Sequence, residues 1–205
     1  MSINWNKIRN PEMKVMFETS LGNAARKYNL GAPVLADVDL IVVSAEMKNT
    51  TTYTIAAQPD ISRNITVKHT AVVTADTLGT ITITGTDVLG QPLSEIITPV
   101  DGTTVLGKLA FKTIASAIGA GWVVSSGTDK DTIEIGVGTL LGLPVIIKET
   151  ADIDLGVVGI ALIVPTVAVT VSPAIATSTA ISKCTVDLSS GTYDGSKKVH
   201  IFIVE

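Results

Sequence analysis

The chain has 205 residues, enough for one large β domain or two small ones, each with a buried core. Its net charge is −4 with no basic cluster, which excludes a nucleic-acid binder that must neutralise a row of phosphates. Cys184 is the single cysteine, so an internal disulfide is excluded and synthesis in a reducing cytoplasm is expected.

Val, Ile and Thr are abundant while aromatic residues make up only 4%. Such β-branched side chains are stiff at χ1 and pack well on a pleated surface, so they favour strands. Charged residues are 17% and the mean hydropathy is +0.46, high for a free-standing monomer. Either an unusual share of the chain is buried or apolar surface is covered by other subunits, and the second is expected to contribute.

The N-terminal region differs from the rest. Its opening, MSINWNKIRN, lacks the apolar core of a signal peptide, and export is not expected. Met13, Met16, Phe17, Leu21, Ala24 and Tyr28 recur at helical spacing, which predicts a short amphipathic helix ended by Gly31 and Pro33. Residues 1–30 are thus read as a helical arm and 31–205 as a β-rich domain, with two packed sub-domains as an option. The arm either docks on a neighbouring subunit or packs on its own domain.

Strands are predicted for Asp37–Ser44, Thr51–Ala57 and Ile65–Thr74. The next stretch, Ile81–Thr98, is the strongest signal in the chain. Ile81-Thr82-Ile83-Thr84 alternates at period two, Asp87 and Gly90 supply turn chemistry, and Pro92–Thr98 returns as a second strand. Asp101-Gly102 marks another turn. Val105–Ile118 fits either a helix or a strand and is read here as a strand. Trp122–Ser125 and Thr132–Val137 are expected to form a hairpin, followed by short strands at Val145–Ile147, Val157–Val164, Val167–Val171, Cys184–Leu188 and Val199–Val204. Leu155–Val164 is ten apolar residues, against the roughly 20 that a membrane-spanning helix needs, so buried strands are expected there. The predicted fold is all-β, a sandwich or barrel-like domain of short antiparallel strands with a short N-terminal helix or arm.

Chemistry is sparse. His69 and His200 have no Cys or His at ligand spacing and are expected to be solvent-facing or hydrogen-bonded. Asp37/Asp39, Asp129/Asp131 and Asp152/Asp154 could each put two carboxylates on one strand face, yet none continues as a calcium loop. The run Gly136-Val137-Gly138-Thr139-Leu140-Leu141-Gly142 lacks the Gly-Lys-Ser/Thr ending and following helix of a phosphate loop, so a bend between strands is expected. Cys184 reads as a small buried hydrophobe. No catalytic, cofactor-binding or metal-ligating residue is nominated, and an enzyme is not expected.

Three blocks of the chain resemble structural proteins of tailed bacteriophages, in particular the β-rich head decoration, or cement, type. The first is Arg63-Asn64-Ile65-Thr66-Val67 with Ile81–Asp87, Gly90 and Ser94–Thr98. The second is Lys108–Ile118, with Ile133–Gly138 and Leu141-Gly142-Leu143-Pro144. The third is Gly191–Ser196, just before the final strand. The resemblance implies a non-enzymatic subunit on the capsid exterior of a virion, bound to the major capsid protein and often trimeric. No nucleic-acid partner, no membrane partner and no cofactor is expected. A tail, neck or baseplate subunit is the alternative. A carbohydrate- or receptor-binding module is a further one, although only Trp5, Trp122 and three tyrosines could supply its aromatic platform.

Overall fold

The computed structural model describes residues 25–49, 51–72, 77–123, 130–146, 161–164, 174–176, 178, 180–187 and 194–204. Within them the fold is all-β, and every strand pairing is antiparallel. The strands are β1 (Ala25–Gly31), β2 (Asp37–Glu46), β3 (Arg63–Thr70), β4 (Thr80–Thr86), β5 (Pro92–Ile97) and β6 (Thr104–Phe111). They continue as β7 (Thr113–Ala120), β8 (Thr132–Gly142), β9 (Ala161–Val164), β10 (Ala174–Ala176), β11 (Thr185–Asp187) and β12 (Lys198–Val204).

Two sheets form a sandwich-like body. One is the six-stranded sheet β10-β11-β8-β3-β6, with β2 also on β8; the other is β5-β4-β7. The alternation of β4 is the reason they stack: Ile81 and Ile83 are fully buried, whereas Thr80, Thr82 and Thr84 point to the other face. They meet Ile65, Val67, Phe111, Ile133, Ile135 and Val137 from the facing sheet in one core. Each such side chain removed from water contributes roughly 1.5–3 kcal/mol. A second cluster joins Leu141, Leu143, Cys184, Val186, Val199 and Ile201, with Tyr28 and Leu30 against it, beside the sheet β1-β12-β9. β8 contributes to both clusters. The sheets are open rather than closed into a barrel.

The predicted 81–98 hairpin is present, with Ile83 opposite Glu95 and Thr84 opposite Ser94. Asp87 Oδ1 accepts from Leu89 N–H (2.8 Å) and Gln91 N–H (2.9 Å), and Gly90 takes φ +78°. Other expectations are corrected. The helix predicted as far as Tyr28 does not hold at its end, because residues 25–31 form β1 against β12; its earlier part lies outside the described residues. The segment 105–118 is two strands, split at Lys112, so that β6 lies in one sheet and β7 in the other. Phe111 and Ile114 are both buried on either side of this corner, and Lys112 N–H fixes it by donating to Thr86 O at 2.7 Å.

Thr51–Ala57 is extended but makes only the isolated bridge of Thr52 with Ile118; Tyr53 N–H and Ala56 N–H tie it to Ala117 O and Ile41 O. Val123 pairs with Thr77 rather than with β8, so the hairpin expected from 122 to 137 does not form. Val145 and Ile146 are not in a strand. The strand predicted at 167–171 lies outside the described residues, as does the start of the one at 157–164, whose end is β9.

Candidate functional site

The densest polar construction lies around Arg63 and Asn64 on β3. From Asn64 to Thr66, β6 runs from Ala110 to Leu106, so β6 carries two more residues than β3. On the other side β8 does the same between Leu141 and Val137 while β3 passes from Arg63 to Ile65. β3 is therefore flanked by a bulge in each neighbour, where ladder hydrogen bonds are lost. Side chains replace them. Asn64 Nδ2 donates to Gly107 O (3.1 Å), Asn64 Oδ1 accepts from Leu140 N–H (3.0 Å), and Arg63 Nε donates to Gly138 O (2.9 Å).

Arg63 is fully buried and also donates through Nη1 to Asp60 Oδ1 (3.0 Å) and Val34 O (3.2 Å). An arginine so buried needs a paired carboxylate, which Asp60 supplies, while Nε and Nη1 between them donate to three oxygens. Glu95 on β5 completes the seam from the other sheet. Its Oε1 accepts from Lys108 N–H (2.7 Å) and its Oε2 from Leu109 N–H (3.3 Å), bridging the gap between β5 and β6.

The glycine run 136–142 belongs to this packing and is not the bend that its sequence suggests. A Cβ on Gly136 would lie 1.8 Å from Asp37 O of the strongly bulged β2, and one on Gly138 would lie 2.4 Å from Asn64 Oδ1. These positions let a neighbouring backbone or amide come close.

His69, near the end of β3, is fully buried. Its Nε2 is 3.0 Å from Asp131 Oδ2, and its ring is tilted 55° against Trp122 at 6.1 Å between centroids. Asp131 also accepts from Val72 N–H through Oδ1 (2.6 Å), and its carbonyl accepts from Met47 N–H (3.1 Å). On the other side of the ring, Asp101 Oδ1 is 3.3 Å from Nδ1, close in distance but outside hydrogen-bond alignment. The imidazole thus stands between two carboxylates. Asp131, just before β8, is 1% exposed; Asp129 lies outside the described residues.

Asp37 and Asp39 do approach each other. The pKa of Asp39 is raised, first because its neutral carboxyl can donate to Asp37 and then because the two charges repel, with burial and Glu134 adding to the effect. Asp152 and Asp154 lie outside the described residues. His200 sits half-buried on β12 opposite Asn29 and Leu162. Cys184 is buried, as its composition suggested. Among the described residues no group of three His, Cys, Asp or Glu side chains is placed to hold a metal ion, and no helix is long and apolar enough to cross a membrane. A half-open hollow of about 200 Å³ lies between Leu30, Ile61, Ser62, Val88 and Pro144, with Lys112 at its side.

The outer face of β5-β4-β7 has a different character. Its rows are Pro92-Thr86-Thr113, Ser94-Thr84-Ser116 and Ile96-Thr82-Ile118, with Thr80 opposite Ala120 and Thr52 extending the third row. None of these residues is charged. Thr84 and Ser116 share a hydrogen bond of 2.7 Å, and Thr86 and Thr113 one of 2.6 Å, so the hydroxyls brace one another across the strands. Ile96 is 67% exposed at the edge strand β5.

Neither the Asn64 seam nor the Asp131–His69–Asp101 group was found from sequence, because their members lie dozens of residues apart. The uncharged face could have been found from the Thr and Ile alternation of 80–86. Comparison with protein-family models, curated proteins and solved structures yields no match.

Proposed function

We propose that the protein is a non-enzymatic structural subunit of a tailed-bacteriophage virion that decorates and stabilises the capsid by binding the lattice of its major capsid protein. The observation that carries this reading is the uncharged outer face of β5-β4-β7. An antiparallel sheet turned to water carries polar side chains on that face, commonly with charges among them, and open edges are often blunted with charged residues, lysine above all. This face presents threonine, serine and isoleucine up to an exposed edge isoleucine instead, as a surface does that rests on another protein. The blocks that resemble tailed-phage structural proteins supply further support, since two of the three fall on β3 to β8, the strands of the sandwich. A homotrimer on the capsid exterior would repeat this face at each lattice position, where many modest contacts add up by multivalency.

The test is to carry an affinity tag after Glu205, purify particles and locate gold label by electron microscopy, with untagged particles checked by mass spectrometry. Label spread over the heads is the expected result. Label confined to the tail or neck overturns capsid decoration in favour of a tail subunit, and absence of the protein from untagged particles overturns the virion reading altogether.

A further inference from the structure

The turn joining β5 and β6 places an Asp-Gly bond against the buried histidine. Such bonds are chemically special, because glycine offers no side chain to hinder attack of its own amide on the preceding carboxyl. Thr103 N–H donates to Val100 O at 3.1 Å and closes the turn, and Gly102 takes φ +62°. The Gly102 N–H donates to no described residue, so it stays available. The Asp101 side chain is half exposed, yet its Oδ1 is 3.3 Å from Nδ1 of His69. Asp131 holds the opposite ring nitrogen at 3.0 Å.

We propose that Asp101–Gly102 is a site of spontaneous isomerisation to isoaspartate, with His69 as the proton donor and water as the only co-reactant. When the ring carries a proton on each nitrogen, Nε2–H faces Asp131 and Nδ1–H lies near the oxygen that must leave, and a turn of the half-exposed Asp101 carboxyl brings the two into line. The Gly102 nitrogen attacks Cγ of Asp101 and the Cγ–Oδ1 bond breaks. The departing oxygen takes the amide proton and the Nδ1 proton and leaves as water. The product is a five-membered succinimide and a neutral imidazole. Water then adds to either carbonyl of the ring, opening it to aspartate or isoaspartate, and the released carboxyl proton returns to His69. Nothing is oxidised or reduced. Among the described residues the ionisable groups facing the ring are Asp101 and Asp131, and positioned proton transfer of this kind is worth about 100-fold or more.

The chain contains its own control. Asp194–Gly195 is the same dipeptide, but there Oδ1 of Asp194 accepts from Ser196 N–H (3.0 Å), Ser196 Oγ (2.8 Å) and Lys197 N–H (2.9 Å). Its glycine amide is also occupied, donating to Pro33 O at 3.0 Å. Both reacting partners are tied down.

The experiment incubates the full chain in heavy-oxygen water at mildly acidic pH, natively and in urea, and quantifies isoaspartate at both sites by peptide mapping. Natively, isoaspartate with incorporated heavy oxygen is expected at Asp101 at least about tenfold faster than at Asp194. In urea the two rates should converge. Absence of isoaspartate at Asp101 in the native protein, or a ratio that is the same in urea, overturns the site. His69→Gln, where it folds, should slow the Asp101 reaction and flatten its pH profile; an unchanged or faster rate overturns the role of the histidine. Should that variant not fold, the native-to-urea comparison decides the site on the unaltered chain.

Discussion

Asp37 and Asp39 stand two residues apart at the start of β2, and Asp39 N–H donates to Asp37 Oδ1 at 3.3 Å. The folded chain holds Asp39 with a raised pKa, so it binds a proton more readily than the unfolded chain does. Stability contributed by this group is therefore highest below the unfolded value of about 3.9 and falls as pH rises through the raised folded value. The loss persists to neutral pH. Asp39→Asn is expected to raise the melting temperature at pH 7 and to leave it nearly unchanged at about pH 3, below both values. Two melting curves check this, and an equal effect at both pH values would contradict it. Asp194 behaves in the opposite sense: the Lys197 and Ser196 amides and the Ser196 hydroxyl hold its carboxyl below the usual range. Its contribution is present above the unfolded value and lost as pH falls towards the folded one.

At the scale of elements, Glu95 is the side chain through which β5 reaches β6. Glu95→Ala leaves the Lys108 and Leu109 amides without that acceptor, and a loss of about 1–2 kcal/mol is expected in urea denaturation. Glu95→Gln, which keeps an oxygen in place, should lose less. The hairpin 81–98 was legible in the sequence because its signals are local: period-two alternation, an Asp two residues before the amide that it accepts from, and a glycine in the left-handed region. β1 was misread because Met13 to Tyr28 fits a helical period, whereas the structure places Tyr28 and Leu30, at strand period, against the second cluster. The corner at Lys112 was not legible either. A continuous run of strand-forming residues carries no mark of the point where it passes from one sheet to the other; burial of Phe111 and Ile114 decides it.

For the whole molecule, the all-β class followed from abundant β-branched residues and regularly spaced turns. The two polar groups did not, since Asn64 meets Gly107 and Leu140, and His69 meets Asp101 and Asp131, only after the sheets assemble. The excess of apolar composition is partly explained by the two cores, and the uncharged face of β5-β4-β7 accounts for some of the remainder. Ile96 is exposed there, so Ile96→Lys should change unfolding stability by no more than about 0.5 kcal/mol. On the capsid-decoration proposal, binding of this variant to purified shells that lack the protein is expected to weaken at least tenfold, about 1.4 kcal/mol. Undiminished binding would remove this face from the interface.

The paired bulges beside β3 also determine how the sandwich bears a load. In a regular ladder, a strand displaced along its length by two residues keeps its faces and can remake its bonds in the new register. Here a slide of β3 would drag Asn64 away from both bulges at once and strand the Leu140 amide and the Gly107 carbonyl, at about 1–3 kcal/mol for each buried group left unmade. Arg63 would lose Gly138 O in the same movement. Asn64 therefore works as a detent: β3, held by β8 on one side and β6 on the other, resists shear from both.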